Sequence, residues 1–273
     1  MTTLDGAPAL IGLPYDASSS YQRGPADAPP VIRDALWSPS ANSWTELGVA
    51  IGGDGVIADV GDLDLAGCAS ADARRSIEAG ISRLVSTGAR PVALGGDHSV
   101  TYPVLLAIRP HAPRLTIVHF DAHPDLYDDF EGDRFSHACP FARIMEERLT
   151  DRLIQVGIRT MSGHQRSQAA RFGVEVIEMR QFADSLRVST DGPLYVSVDI
   201  DVLDPAFAPG VSHREPGGLS VRQLLTLIQS LGGPIIGADV VELNPRNDPG
   251  GVSAIAAAKV LRELLGVMVS APS

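Results

Sequence analysis

Histidines and carboxylates gather in four short segments of the chain: Gly95-Gly96-Asp97-His98-Ser99, Asp121-Ala122-His123-Pro124-Asp125, Asp199-Ile200-Asp201, and Glu242 after Val241. Extended backbone points every second side chain to one side, so residues 121, 123 and 125 converge, as do 199 and 201. Carboxylates packed together repel one another and raise each other's pKa unless a cation neutralises them. The donors His98, Asp121, His123, Asp125, Asp199 and Asp201 include no thiolate. Such a set suits a hard or borderline divalent ion, Mn²⁺ for example, better than a structural zinc. Six ligands also exceed what one catalytic zinc uses. Two ions roughly 3.5 to 4 Å apart, bridged by shared aspartates, account for all six and would hold a hydroxide between them.

Each cluster follows an apolar run, which identifies the elements that must position it. Eight candidate strands are legible: Ala9 to Leu13, Val56 to Val60, Pro91 to Leu94, Leu115 to Phe120, Leu153 to Val156, Val174 to Ile177, Leu194 to Val198 and Ile235 to Val240. Helical patterns lie between them at Ala71 to Thr87, Tyr102 to Arg109, Ala138 to Leu149, Val221 to Leu231 and Gly251 to Gly266. In the last, Val252, Ile255, Ala258, Leu261 and Leu264 recur at helical spacing and predict one buried stripe. Continuous apolar strands alternating with helices predict an α/β fold, a three-layer α/β/α sandwich around an eight-stranded, mostly parallel sheet. No linker, repeat or low-complexity tract divides the chain, so residues 1–273 are expected to form one domain. The Gly- and Pro-rich stretches Tyr15 to Pro30, Ser38 to Gly55 and Asp204 to Gly218 are expected to rim the site, because loops after strand ends collect the chemistry in such folds.

Of 273 residues, 44% are hydrophobic and the formal net charge is -11, which argues against a phosphate-binding face and hence against nucleic acid as a partner. No apolar run approaches the roughly 18 to 20 residues needed to span a bilayer. The start MTTLDGAPALIGLPYD has no Lys or Arg and so lacks the basic region of a secretory signal. With Cys68 and Cys139 as its two thiols, the chain is expected to be cytoplasmic and reduced.

The motifs GGDHS, DAHPD, SVDIDVLDPAFAPG and VELNP resemble those of the ureohydrolase family, which includes arginases and agmatinases. The match runs from about Gly12 to Gly266. The resemblance implies a two-manganese site in which His98, Asp121, Asp125 and Asp199 bind one ion and His123, Asp121, Asp199 and Asp201 the other. It also implies that His137, in RFSHACPF, passes a proton to the leaving amine, that Glu242 grips the guanidinium, and that Asp125 takes the proton of the attacking hydroxide. Those roles suit the chemistry: a guanidinium offers paired N–H donors to a carboxylate, and histidine titrates near neutrality. Trimers or hexamers are the assemblies the resemblance implies.

The segments DLYDDFEG, LIQVGIRT and DPAFAPGVSHREPGGLS are similar to the plant-type arginases and their bacterial relatives. L-arginine, or its N-hydroxylated analogue, is therefore the first expected substrate, and agmatine, or a guanidino acid other than arginine, the next. The animal type of arginase has S-G-N-x-H-G for the α-carboxylate, whereas this chain has FSHACPFARIMEE. Of the thirteen residues from Asp121 to Asp133, six are acidic; Asp128, Asp129, Glu131 and Asp133 either receive a cationic amine or solvate a loop. Asp97 is expected to cap a helix or support a ligand, His119 to stand behind the ligands, and His213 is a candidate substrate contact. A scaffold-only, non-catalytic member of the family would not need His137 and Glu242.

Overall fold

The computed structural model describes residues 6–270. Eight strands form one sheet: β1 (Pro8–Gly12), β2 (Ala58–Asp62), β3 (Arg90–Leu94), β4 (Thr116–Phe120), β5 (Arg152–Ile158), β6 (Glu175–Glu178), β7 (Leu194–Asp199) and β8 (Ile235–Val241). Their order across the sheet is β2-β1-β3-β8-β7-β4-β5-β6, and every pairing is parallel. Seven α-helices cover its faces: α1 (Ala28–Leu36), α2 (Ser70–Val85), α3 (Thr101–Ile108), α4 (Pro140–Glu146), α5 (Gly163–Phe172), α6 (Val221–Gln229) and α7 (Val252–Ser270).

Alternate strand residues feed two cores. Leu10, Val92, Leu94, Phe120, Val198 and Val240 pack on one side with residues of α1, α6 and α7. Ala9, Ile11, Ala93, Ile117, Tyr195 and Val241 pack on the other with residues of α2, α3 and α4. This is the period of two that a strand buried on both faces must show. The eight expected strands are all present, and the outermost two are the least buried. In β2, four of the five residues are exposed, so the expectation that its run is covered on both faces fails at this edge. Arg33 compensates there by donating to Asp59 Oδ2 and to the Gly61 carbonyl.

Three further details differ from the sequence reading. Helix α1 starts inside the stretch expected to be irregular, because Pro29 and Pro30 lie in its first turn, where a missing N–H costs nothing. Helix α5 is polar, yet it is set by a reciprocal cap: Ser162 Oγ accepts from Gln165 N–H while Gln165 Oε1 accepts from Ser162 N–H. In α7 the expected stripe begins exposed, with Val252 and Ile255 at 47% and 62% accessibility. The buried face runs through Ala254, Ala257, Ala258, Leu261, Leu264 and Met268.

Candidate metal centre

The register of the sheet places the site. Leu94 pairs with Val240, Val240 with Val198, and Val198 with Phe120, so β3, β8, β7 and β4 end on one level. Their next residues emerge in a row at the C-terminal edge, the ligand-binding edge of a parallel sheet. The double glycine after β3 is needed for this. A Cβ on Gly96 would lie 1.7 Å from the Tyr15 carbonyl oxygen, and one on Gly95 would run into Val241. The segment thus passes close enough to the loop after β1 for Asp97 N–H to donate to that same Tyr15 oxygen.

His98 is fully buried, and its Nδ1 lies 3.2 Å from Asp121 Oδ2, 3.2 Å from Asp125 Oδ2 and 3.3 Å from Asp199 Oδ2. On the other side, His123 Nδ1 lies 3.0 Å from Asp201 Oδ2 and 3.5 Å from Asp121 Oδ1. Asp121 therefore turns one oxygen to each histidine, the placement a bridging ligand needs. Backbone N–H groups lock the carboxylates: His123 N–H donates to Asp121 Oδ1, Ala122 N–H to Asp201 Oδ1 and Asp201 N–H to Asp199 Oδ1.

Electrostatics give an independent test of whether these residues fit a cation. His98 Nδ1 is a buried nitrogen with no hydrogen-bond partner, although three carboxylate oxygens surround it. Burial pushes the Asp199 carboxyl well above its ordinary range, with Asp201 and Asp121 adding to the effect, and burial also raises Asp201 to about 6. Burial opposes charge on His98 and His123, yet the carboxylates around them outweigh it and hold both well above the usual imidazole value. A divalent ion would relieve each of these conflicts at once, taking the imidazole lone pairs and neutralising the carboxylates. The donor set fits metal.

A chain of hydrogen bonds fixes the tautomer of His98. Its Nε2–H donates to Ser197 Oγ at 2.9 Å, and Ser197 donates onward to Asp239 Oδ1 at 2.6 Å. Asp239 also accepts from Thr101 and Tyr195 hydroxyls at 2.8 and 2.6 Å. With a proton kept on Nε2, the nitrogen that would give up its proton to an ion is Nδ1, which faces the carboxylate cluster. His119 plays the corresponding part for Asp121, donating from Nε2 to its Oδ2 at 2.8 Å, while His119 Nδ1 accepts from Gln155 at 3.0 Å. Burial keeps His119 neutral. Its distances alone would also let His119 join His98 and Asp121 around an ion. With both ring nitrogens engaged, it has no lone pair left to offer. Ser197 and Asp239 escaped the sequence reading because both lie inside apolar strand runs.

Asp97 is a cap and not a ligand. It accepts from Ser99 N–H and Oγ–H, and also from Ser18 N–H and Ser19 Oγ–H, tying the loop after β1 to the site. That loop brings Ser20 Oγ to 2.8 Å from His137 Nε2, while His137 Nδ1 lies 3.3 Å from Glu242 Oε1. Glu242 Oε1 also accepts from His98 N–H, and its Oε2 has no protein partner among the described residues. Burial disfavours charge on His137, but Glu242, Asp125 and Asp97 outweigh it and bring its pKa to about 9. The Glu242 carboxyl is lowered, the contact with His137 outweighing its burial. Asp125 and Glu242 both adopt left-handed backbone, at φ 49° and 64°, a strained conformation for residues other than glycine and common at functional positions.

A cavity of about 370 Å³ opens over this centre, within the roughly 300–1,000 Å³ usual for small-molecule sites. Its walls include Asp125, Asp199, Asp201, His137 and Glu242 at the floor and Tyr127, Phe130, Thr160, Ser162, Gln165 and His213 above, with no Lys or Arg. His213 does reach it, stacked on His137 with ring centres 5.0 Å apart. The acidic loop residues do not. Asp128 is paired with Arg134 and Arg143, Asp129 Oδ1 accepts from Gly132 N–H, and Asp133 Oδ1 accepts from Phe135 N–H. The stretch Ser38 to Gly55, expected at the rim, is held elsewhere, with Glu46 N–H donating to the buried Glu263 carboxylate on α7.

Residues 7–266 match the model of the Arginase family. The chain belongs to the arginase family. It is 46% identical to "Arginase 1, mitochondrial" of Arabidopsis thaliana over 96% of this chain and 82% of that protein. It is 35% identical to "Proclavaminate amidinohydrolase" of Streptomyces clavuligerus over 94% of this chain and 86% of that one. The solved "Arginase from Medicago truncatula" superposes with a TM-score of 0.91 at 43% identity, covering 96% of this chain and 87% of that one. As an arginase-family member the chain is a metal-dependent hydrolase of carbon–nitrogen bonds other than peptide bonds, and its sheet is the arginase fold. One expectation is overturned: plant arginases at 44–46% identity are named mitochondrial or chloroplastic, so the cytoplasmic assignment does not stand. No helix among the described residues is long and apolar enough to cross a membrane.

Proposed function

We propose that this chain hydrolyses the guanidino group of L-arginine to urea and L-ornithine with two manganese ions. His98, Asp121, Asp125 and Asp199 would hold one ion, and His123, Asp121, Asp199 and Asp201 the other. The observation that carries the reading is Glu242: a buried carboxylate beside the ligand cluster, with one oxygen engaged by His98 N–H and the other free at a cavity lined by no Lys or Arg. That free oxygen is an acceptor suited to a planar cation.

Two divalent ions would supply Lewis acidity and a water acidic enough to attack near neutral pH. The rest falls to the chain. Glu242 holds the guanidinium over the cluster. Asp125, held in its left-handed turn at the cavity floor, accepts the proton of the attacking water. His137, cationic at neutral pH because its pKa is brought to about 9, hands a proton to the departing amine, and Ser20 and Glu242 orient its ring. The chain is proposed to work as a homo-oligomer, a trimer or hexamer, which sedimentation would test.

The deciding experiment is kcat/KM with added Mn²⁺ for L-arginine, N-hydroxy-L-arginine and agmatine, read as urea or hydroxyurea. Arginine is expected to lead. Turnover of agmatine with no turnover of any α-amino acid would overturn the reading.

A further inference from the structure

The acidic floor of the cavity accounts for a guanidinium, but nothing so far accounts for the other end of an amino-acid substrate. Another part of the wall is made by the amino end of α5 and the residues leading into it, Thr160, Met161, Ser162 and Gln165. Gln165 is 4% exposed. Its Oε1 is committed to Ser162 N–H at 3.1 Å, which fixes the amide orientation, because only the oxygen can accept. The Nε2 is then left with two N–H donors, and among the described residues no acceptor reaches them. A nearly buried amide with unused donors on a cavity wall is costly unless a ligand or water completes it.

The setting favours an anion. The N–H groups of Gly163 and His164, in the first turn of α5, have no acceptor among the described residues, and a helix amino end carries a partial positive charge. The loop after β4 is fastened over this end. Asp128 N–H donates to His164 Nε2 at 3.2 Å, and the Tyr127 and His164 rings lie 7° from parallel. None of the four loop carboxylates that would repel an anion lines the cavity, and Asp128, Asp129 and Asp133 are engaged by arginines or backbone N–H groups. The guanidiniums nearest along the chain are spent elsewhere: Arg166 pairs with Glu178, and Arg159 donates to the carbonyls of Asp201, Val202 and Glu215.

We propose that Gln165 Nε2, at the amino end of α5, binds the α-carboxylate of the substrate and makes this site selective for guanidino acids over guanidino amines. The inference rests on the proposed guanidino-hydrolase function and names the determinant of its substrate class. A neutral donor is well matched to this role, since a cationic residue in that wall would repel the guanidinium on its way in, whereas an amide distinguishes the two ends of the same molecule.

The test uses Gln165→Glu, which retains an acceptor for Ser162 N–H, and so the cap, but presents a negative charge where the donors were. Gln165→Leu removes donors and charge alike. Each Mn²⁺-loaded enzyme is assayed with L-arginine, 5-guanidinopentanoate, which lacks the amine, and agmatine, which lacks the carboxylate. Melting temperature and metal content are recorded alongside. In Gln165→Glu the ratio of kcat/KM for either acid to that for agmatine is expected to fall about 10- to 100-fold, through KM, with Gln165→Leu falling less. Unchanged ratios, or an equal loss on all three compounds, would overturn the carboxylate role while leaving arginine hydrolysis by the wild type intact. Absence of arginine turnover by the wild type would overturn the functional reading instead. The subsite is then read by thermal shift, where 5-guanidinopentanoate must stabilise the wild type more than Gln165→Glu, and equal shifts would reject it.

Discussion

Replacing Ser197 with Ala isolates one link in the support of the metal centre. The hydroxyl accepts from His98 Nε2–H at 2.9 Å and donates to Asp239 at 2.6 Å. Ala changes little volume, so the effect is that of the hydroxyl alone. Asp239 keeps Thr101 and Tyr195 as donors, whereas the His98 N–H is left unpaired at 0% exposure. An orphaned buried donor costs ~1–3 kcal/mol. At roughly 2–4 °C per kcal/mol for a chain of this size, the metal-free protein should melt about 2–12 °C lower. Loss of the carboxylate-backed partner also makes His98 a poorer and less oriented ligand, and outer partners of this kind carry ~10–100-fold in metal affinity, or ~1.4–2.8 kcal/mol. The loss should fall on the ion beside His98, so that at limiting Mn²⁺ the load drops toward one ion per chain while the ion at His123 and Asp201 is retained. Chelator competition and metal analysis read both quantities, and Ser197→Thr, which restores a hydroxyl, should recover most of the affinity. Wild-type affinity and melting temperature in Ser197→Ala would show that the hydroxyl supports neither His98 nor the ion.

Loading metal should release protons, because His98 and His123 are held charged by their carboxylates and Asp199 and Asp201 are raised. Calorimetric titration of Mn²⁺ at pH 7 in buffers of different ionisation enthalpy should give clearly different heats, and identical heats would exclude it. The His137 pKa rises from 6.5 unfolded to about 9 folded, so its contribution to stability is complete below pH 6.5 and is lost as pH climbs through 9. His137→Gln should therefore flatten that part of the metal-free stability curve and lower kcat ~10²–10⁴-fold; an unchanged curve would remove the ion pair with Glu242 from the account. Gly96→Ala places a Cβ on the Tyr15 carbonyl, and urea denaturation should show a loss of ~2 kcal/mol or more together with weaker metal binding, with wild-type stability the contrary result.

The residues proposed as ligands are conspicuous in the sequence because they stand at strand ends, where a polar residue follows an apolar run. The sequence did not disclose Ser197, Asp239 or Gln155. Their neighbours are apolar, and their function depends on partners 99, 42 and 36 residues away, a relation that no local period encodes. Helix α1 was hidden by the usual reading of Pro as a breaker, although its prolines lie in the first turn. Helix α5 was hidden by its polarity, although Ser162-x-x-Gln165 is a capping signature that was there to be read. The acidic loop misled in the other direction. Its carboxylates looked like a reception for a cation, yet none of Asp128, Asp129, Glu131 and Asp133 lines the cavity, and Arg134, Arg143 and backbone N–H groups engage three of them.

The strand that comes last in the chain is not last in space. β8 lies in the middle of the sheet, between β3 and β7, so before it arrives the chain has two half-sheets, β2-β1-β3 and β7-β4-β5-β6, each with a bare edge facing the gap. His98 belongs to the first half, and Asp121, His123, Asp125, Asp199 and Asp201 to the second. Synthesis from the amino end therefore delivers every ligand well before they can meet, and leaves two unpaired edges exposed to wrong partners during the wait. Closing the seam is a long-range, late step. An ion shared by His98 and the aspartates would act as a clasp across that seam, so that metal supply bears on how much chain survives its own folding as well as on turnover.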